Sequence, residues 1–207
     1  IILNHYIKPL VMSKLTIYPP LTWYLFFSAL FGKIKKDDPQ INGIWCGTKD
    51  QAFWISQSAW SLKAIAQWWA KAFKQKAPNF WIPDYICNQS LKLLRQTGTT
   101  LTFYPVTDKL TPDWRQCQQM ATESSPDIFM LVHYFGKVSD GQEAKKFCNK
   151  FKSILVEDAV HALIPSDGIG SFGDFICYSP HKLFALPDGA ILVQRNLNKV
   201  SKKMVQG

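Results

Sequence analysis

Val156-Glu-Asp-Ala-Val-His-Ala162, Gly170-Ser-Phe-Gly-Asp174 and Tyr178-Ser-Pro-His-Lys-Leu-Phe-Ala-Leu-Pro-Asp-Gly-Ala190 decide how this chain is read. The apolar run from Ser153 to Val156 predicts a strand buried on both faces, as in a parallel sheet. It ends at Asp158, with His161 three residues beyond. A second apolar run, Phe175-Ile-Cys-Tyr178, ends at Ser179, with Lys182 three residues on. An acid, an imidazole, a hydroxyl and an amine thus arrive at the ends of two short strands.

The chain upstream keeps the same rhythm. Leu62, Ile65, Ala66, Trp69 and Phe73 make one apolar helical stripe behind the polar turn Ser56-Gln57-Ser58. Asn79–Pro83 reads as a strand, 88–96 as a helix stopped by Gly98, and 99–104 as a strand. Thr111-Pro112 predicts a helix with Thr111 as cap and proline at its first position. Asp127–His133 is a further apolar strand, Gly136 permits the turn after it, and Ser139-x-x-Gln142 resembles a capping box opening a helix to Phe151. Strand and helix alternate about every 25 residues, which predicts an α/β fold: three layers, α/β/α, around a mostly parallel sheet with right-handed crossovers. Each polar residue singled out follows a strand, at the edge where open α/β sheets bind ligands.

The acid, imidazole, hydroxyl and amine suit the chemistry of pyridoxal phosphate (PLP). There a lysine amine forms an imine with the cofactor aldehyde, a carboxylate keeps the pyridine nitrogen protonated, and a hydroxyl holds the phosphate. Together with Trp81-Ile-Pro-Asp-Tyr-Ile-Cys87 and Leu131-Val-His-Tyr-Phe-Gly136, the three stretches resemble the DegT/DnrJ/StrS-type aminotransferases over about residues 50 to 195. The pattern there runs Glu-Asp-Ala-Ala-His, then Gly-Ser-Phe-Gly-Asp, then a serine followed by the lysine, then a close rich in glycine. The resemblance implies PLP as cofactor and transfer of an amino group from an amino acid, glutamate in particular, to a keto-sugar nucleotide or similar carbonyl acceptor. It also implies a homodimer.

By the same resemblance Lys182 holds the cofactor and then shuttles the substrate proton, Asp158 pairs with the pyridinium nitrogen, His161 meets the ring near its phenolic oxygen, and Ser179 binds the phosphate. The alternatives are a loop lysine for Lys182 and a cap or ion pair for Asp158. Ser56 and Gln57 stand where relatives carry Gly-Thr or Gly-Arg against the phosphate; plain N-capping by Ser56 or Ser58 is the other reading. At the ring-stacking position, four residues after Pro83, this chain has Cys87. Tyr85 is then the aromatic candidate, with a core tyrosine as its alternative. Asp188 replaces a glycine of the closing pair. His133 is expected to be a hydrogen-bonded structural histidine, and His181 is either structural or directed at the phosphate.

Composition bounds the remainder. A chain of 207 residues, 47% hydrophobic, forms one sizeable core and buries roughly 70% of its unfolded surface. The formal charge of +9 invites a nucleic-acid or membrane reading, but the lysines are scattered, as on a solvated face. Five scattered cysteines without a Cys-x-x-Cys motif favour reduced thiols in a cytoplasmic protein over disulfides or a zinc site, so no metal is expected. Residues 21–31 are apolar but shorter than a bilayer span, and 33–42 turn polar, so 1–42 is expected to be an arm and linker before a PLP-binding domain at 43–207. The first residue is Ile1, and Met12 offers another start. Little sequence follows Lys182, so the small C-terminal domain of the relatives is expected to be absent. A truncated or degenerate relative acting as a non-catalytic binding or regulatory module is the competing function, and a basic anion- or nucleic-acid-binding domain a third.

Overall fold

The computed structural model describes residues 23, 43–184 and 186–195. Nearly all of the expected arm and linker, including the apolar run 21–31 apart from Trp23, therefore lies outside the described residues. The elements run β1 (Gln51–Ile55), α1 (Ser58–Ala72), β2 (Asn79–Pro83), α2 (Lys92–Arg95), β3 (Thr100–Tyr104), α3 (Trp114–Glu123), β4 (Ile128–Val132), α4 (Gly141–Lys150), β5 (Ile154–Asp158), β6 (Phe175–Tyr178) and β7 (Ala190–Gln194). One seven-stranded sheet has the order β1-β7-β6-β5-β4-β2-β3. Its five strands from β3 to β6 are parallel, whereas β7 runs antiparallel to both β6 and β1.

Strand periodicity sorts the core into layers, because successive side chains point to opposite faces. Phe80, Ile82, Ile128, Met130, Val132, Ile154, Val156 and Cys177 face the stripe of α1 formed by Leu62, Ile65, Ala66 and Trp69. Trp81, Phe129, Leu131 and Leu155 face Cys117 and Ala121 of α3 and Phe147 of α4. The expected three layers are present. Among the described residues no helix is long and apolar enough to cross a membrane, and none of the five cysteines forms a disulfide.

Four local expectations need correction. The helix expected over 88–96 is a 3-10 turn, Asn88–Leu91, followed by the four residues of α2. Asp113 caps α3 in place of Thr111, its carboxylate accepting from Gln116 N. The Thr111 hydroxyl is already engaged with Thr107 Oγ1 at 2.8 Å. Likewise Asp140 caps α4 and accepts from Glu143 N, because Ser139 donates its hydroxyl to Val132 O at 2.7 Å. Neither Ser56 nor Ser58 caps α1; its N-cap is Gln57, which makes no side-chain capping bond.

Candidate active site

The carboxyl ends of the parallel strands open onto a cavity of about 370 Å³, lined by Ser58, Tyr85, Cys87, Tyr134, Phe135, Asp158, Val160, His161 and Lys182 among others. Four of the expected site residues, Tyr85, Asp158, His161 and Lys182, meet there. Ser56, Gln57 and Ser179 are not in its lining. Ser58, the first residue of α1, is, and no acidic side chain stands in the first turn of that helix. Its end therefore presents N–H groups and a positive dipole without a competing carboxylate.

Adjacent acids do different jobs because strand geometry sends them to opposite faces. Glu157 is fully buried beneath the turn that follows β5. Its Oε2 receives Gly170 N at 2.6 Å and pairs with His133 Nε2 at 2.8 Å, and its Oε1 receives Phe172 N at 2.7 Å and also Gly173 N. Ser139 N donates to His133 Nδ1, so Nε2 carries the ring proton and donates to the carboxylate. Burial pushes the Glu157 carboxyl upward, but the bonds from His133 and the loop amides outweigh it and hold the group below its usual range. The Gly-Ser-Phe-Gly stretch is thus a loop wrapped on a buried carboxylate, and His133 is the structural histidine expected.

Asp158 faces the cavity. Its Oδ1 accepts from Val160 N at 3.1 Å, and Oδ2 has no hydrogen-bond partner among the described residues. Burial raises its pKa against the opposing effects of the Val160 N–H and the charges of Lys182 and His133. A half-buried carboxylate with one uncommitted oxygen is costly by itself and gains from a cationic donor.

Lys182 ends the short turn Pro180–Lys182, its N–H donating to Ser179 O at 3.0 Å. His161 accepts from Phe135 N at its Nδ1, 3.3 Å away, so the neutral ring carries its proton on Nε2. Desolvation and then Lys182 lower the pKa of that imidazole, favouring the neutral form. Phe135 holds φ +55°, a left-handed conformation unusual for a bulky residue, and its ring lies nearly parallel to His161, 6° apart in plane. Tyr134 donates its hydroxyl to Tyr85 O at 2.6 Å and so ties the β4 turn to the β2 turn. Burial, with Asp158 next, keeps that phenol protonated.

Sequence reasoning passed over Tyr134, Phe135 and Glu157 as functional or supporting groups. The Val-His-Tyr-Phe-Gly stretch carried a signal, an aromatic pair at a strand's carboxyl end, but periodicity alone does not tell a cavity wall from a core.

A profile of the DegT/DnrJ/EryC1/StrS aminotransferase family matches residues 89–205, more than half of the chain. Among solved structures, Helicobacter pylori PseC, an aminotransferase involved in the biosynthesis of pseudoaminic acid, is 19% identical, with 75% of this chain and 42% of that one covered and a TM-score of 0.57. NtdA of Bacillus subtilis, solved with bound cofactor PMP, is also 19% identical, with 75% and 35% covered and a TM-score of 0.59. DesI, analysed in the presence of its TDP-sugar product, is 19% identical, with 81% and 42% covered and a TM-score of 0.60. At such identities the likeness shows the fold, and the chain spans well under half the length of these structures. With that fold and a profile match running through both the β5 and the lysine-bearing motifs, the chain belongs to the DegT/DnrJ/EryC1/StrS aminotransferase family.

Proposed function

We propose that this chain forms the PLP site of a transaminase. The enzyme would work as a homodimer and move an amino group from an amino acid, glutamate in our reading, to a keto-sugar nucleotide or related carbonyl acceptor. The observation that carries the proposal is the convergence of Asp158, His161, Lys182 and Tyr85 on one cavity beside the start of α1. Family membership supports the reaction class, and the sugar-linked relatives PseC and DesI support the acceptor class.

The residues present fit the cofactor. Asp158 has an oxygen to spare for a protonated ring nitrogen, and its charge would hold the proton there. His161 offers Nε2–H to a phenolic oxygen. The turn Ser56–Ser58 at the head of α1 offers backbone N–H groups to a phosphate, and Ser179 lies one turn from the lysine. When bound, PLP supplies an electron-withdrawing ring that stabilises negative charge on the substrate carbon. The Lys182 amine would take the proton from that carbon and return it to the neighbouring one, as general base and then acid. Tyr85, Tyr134 and Phe135 would form the wall that limits water at the reacting end.

The test adds PLP to the wild-type chain and to Lys182→Ala. A visible absorption band that borohydride fixes as a mass increment on the Lys182 peptide, and that Lys182→Ala lacks, is expected. Absence of the band in the wild type would remove the proposal. Transfer of labelled nitrogen from glutamate then separates an enzyme from a binding module that keeps only the cofactor site.

A further inference from the structure

We propose that His181 is a positioning residue, clasping the lysine-bearing turn to the turn that opens α1 through the two backbone groups of Gly189. The inference rests on the reading of Lys182 above and adds a residue that reading leaves without a role.

Between the end of β6 at Tyr178 and the start of β7 at Ala190 the chain must hold one lysine still over eleven intervening residues, and apart from the buried Pro180 the described apolar side chains do little of this work. Leu183, Phe184 and Leu186 are all exposed. Polar contacts at the two ends of the segment do it instead. His181 Nδ1 lies 2.8 Å from Gly189 O, and the His181 backbone N–H donates to the same carbonyl at 3.4 Å. In the other direction, Gly189 N donates to Ser56 O at 2.7 Å. Gly189 can serve both neighbours because its φ of +133° lies where side chains are disfavoured. The path Lys182–His181–Gly189–Ser56 therefore joins the amine to the turn proposed to meet the phosphate.

The same contact settles the tautomer. A carbonyl oxygen only accepts, so Nδ1 carries the proton. Ser179 Oγ, 3.2 Å from that nitrogen, can only accept a share of it, and its own O–H is left free to donate. His181 thus sets the direction of the Ser179 hydroxyl as well as the path of the turn. Its own ring is spent on Gly189, which assigns it to support and not to direct contact with an anion through Nδ1.

The test compares His181→Leu, which fills the ring's volume without a donor, with His181→Asn, whose amide N–H falls near the place of Nδ1. Two readouts are taken: hydrogen exchange at the Gly189 amide without PLP, and the PLP dissociation constant from borohydride trapping on Lys182. For His181→Leu, exchange at least tenfold faster and a dissociation constant raised at least tenfold are expected, with His181→Asn recovering most of both. Should the leucine variant not fold, His181→Ala is compared with His181→Asn in the same way. Unchanged exchange would overturn the clasp. Faster exchange with PLP affinity within twofold of wild type, or no recovery in His181→Asn, would overturn the positioning role. If the wild type took no PLP, the functional reading would fall with the affinity arm, and the exchange arm alone would decide whether the clasp exists.

Discussion

Replacing Glu157 by glutamine should damage the fold far more than its size suggests, although the change removes one charge and moves almost no volume. Four donors converge on this carboxylate: His133 Nε2, Gly170 N, Phe172 N and Gly173 N. A glutamine can offer one oxygen to Phe172 and Gly173, but its NH2 then confronts Gly170 N–H and His133 Nε2–H. Two buried donors lose their acceptor, at about 1–3 kcal/mol each, so the loss is about 2–6 kcal/mol. That is a large part of the 5–15 kcal/mol typical of a domain's whole stability, roughly. With a urea m-value of about 2 kcal/mol/M, a loss of about 4 kcal/mol lowers the unfolding midpoint by about 2 M. The pH dependence gives a second check. Glu157 titrates below its ordinary range when folded, so its contribution is present above the unfolded value near 4.5 and is lost as pH falls through the folded one. The difference between wild type and Glu157→Gln should therefore shrink in acid. A loss under about 1 kcal/mol at neutral pH would refute the hub described for Glu157.

Asp158→Asn is expected to do the reverse. The Asp158 pKa is raised on folding, so the stabilising contribution belongs to the protonated form, is fully present below the unfolded value near 3.8 and is lost as pH rises through the folded value. The variant should match or exceed wild-type stability at neutral pH, with the advantage fading as pH falls through the folded value of Asp158, while PLP affinity falls at least tenfold; urea unfolding across this pH range and PLP titration check this. Gly170→Ala should cost about 3 kcal/mol in the same unfolding assay, since φ is +72° and an added Cβ would overlap the Tyr178 hydroxyl. Gly136→Ala places a Cβ 2.9 Å from His161 O at φ +76°. It should shift the His161 imidazole resonances and weaken PLP binding, measured by NMR and titration, before it unfolds the chain.

Much of the scaffold was legible in the residues because buried parallel strands must be apolar on both faces. The runs at 79–83, 128–132, 154–158 and 175–178 had little competition, and the stripe of α1 is a plain helical period. The acid at the end of β5 and the lysine after β6 followed from those strand ends. Two strands escaped. Gln51–Ile55 is an edge strand, mostly exposed and without alternation, and it is defined by pairing with Ala190–Gln194 from the far end of the chain. The helix starts slipped by one or two residues for a similar reason. Thr111 and Ser139 are chemically fit to cap, and only their partners Thr107 and Val132 withdraw them.

Sequence by itself determined which chemistries were at hand and on which strand ends they stood, since hydrophobic periodicity and side-chain type are local properties. The tertiary structure decided which of two neighbouring acids is buried under a loop and which faces the cavity, and that Ser58, not Ser56, lines it. It also decided that His181 spends its proton on Gly189. Those assignments depend on donors and acceptors brought together from distant parts of the chain, and a hydrogen bond exists only once both ends have been placed.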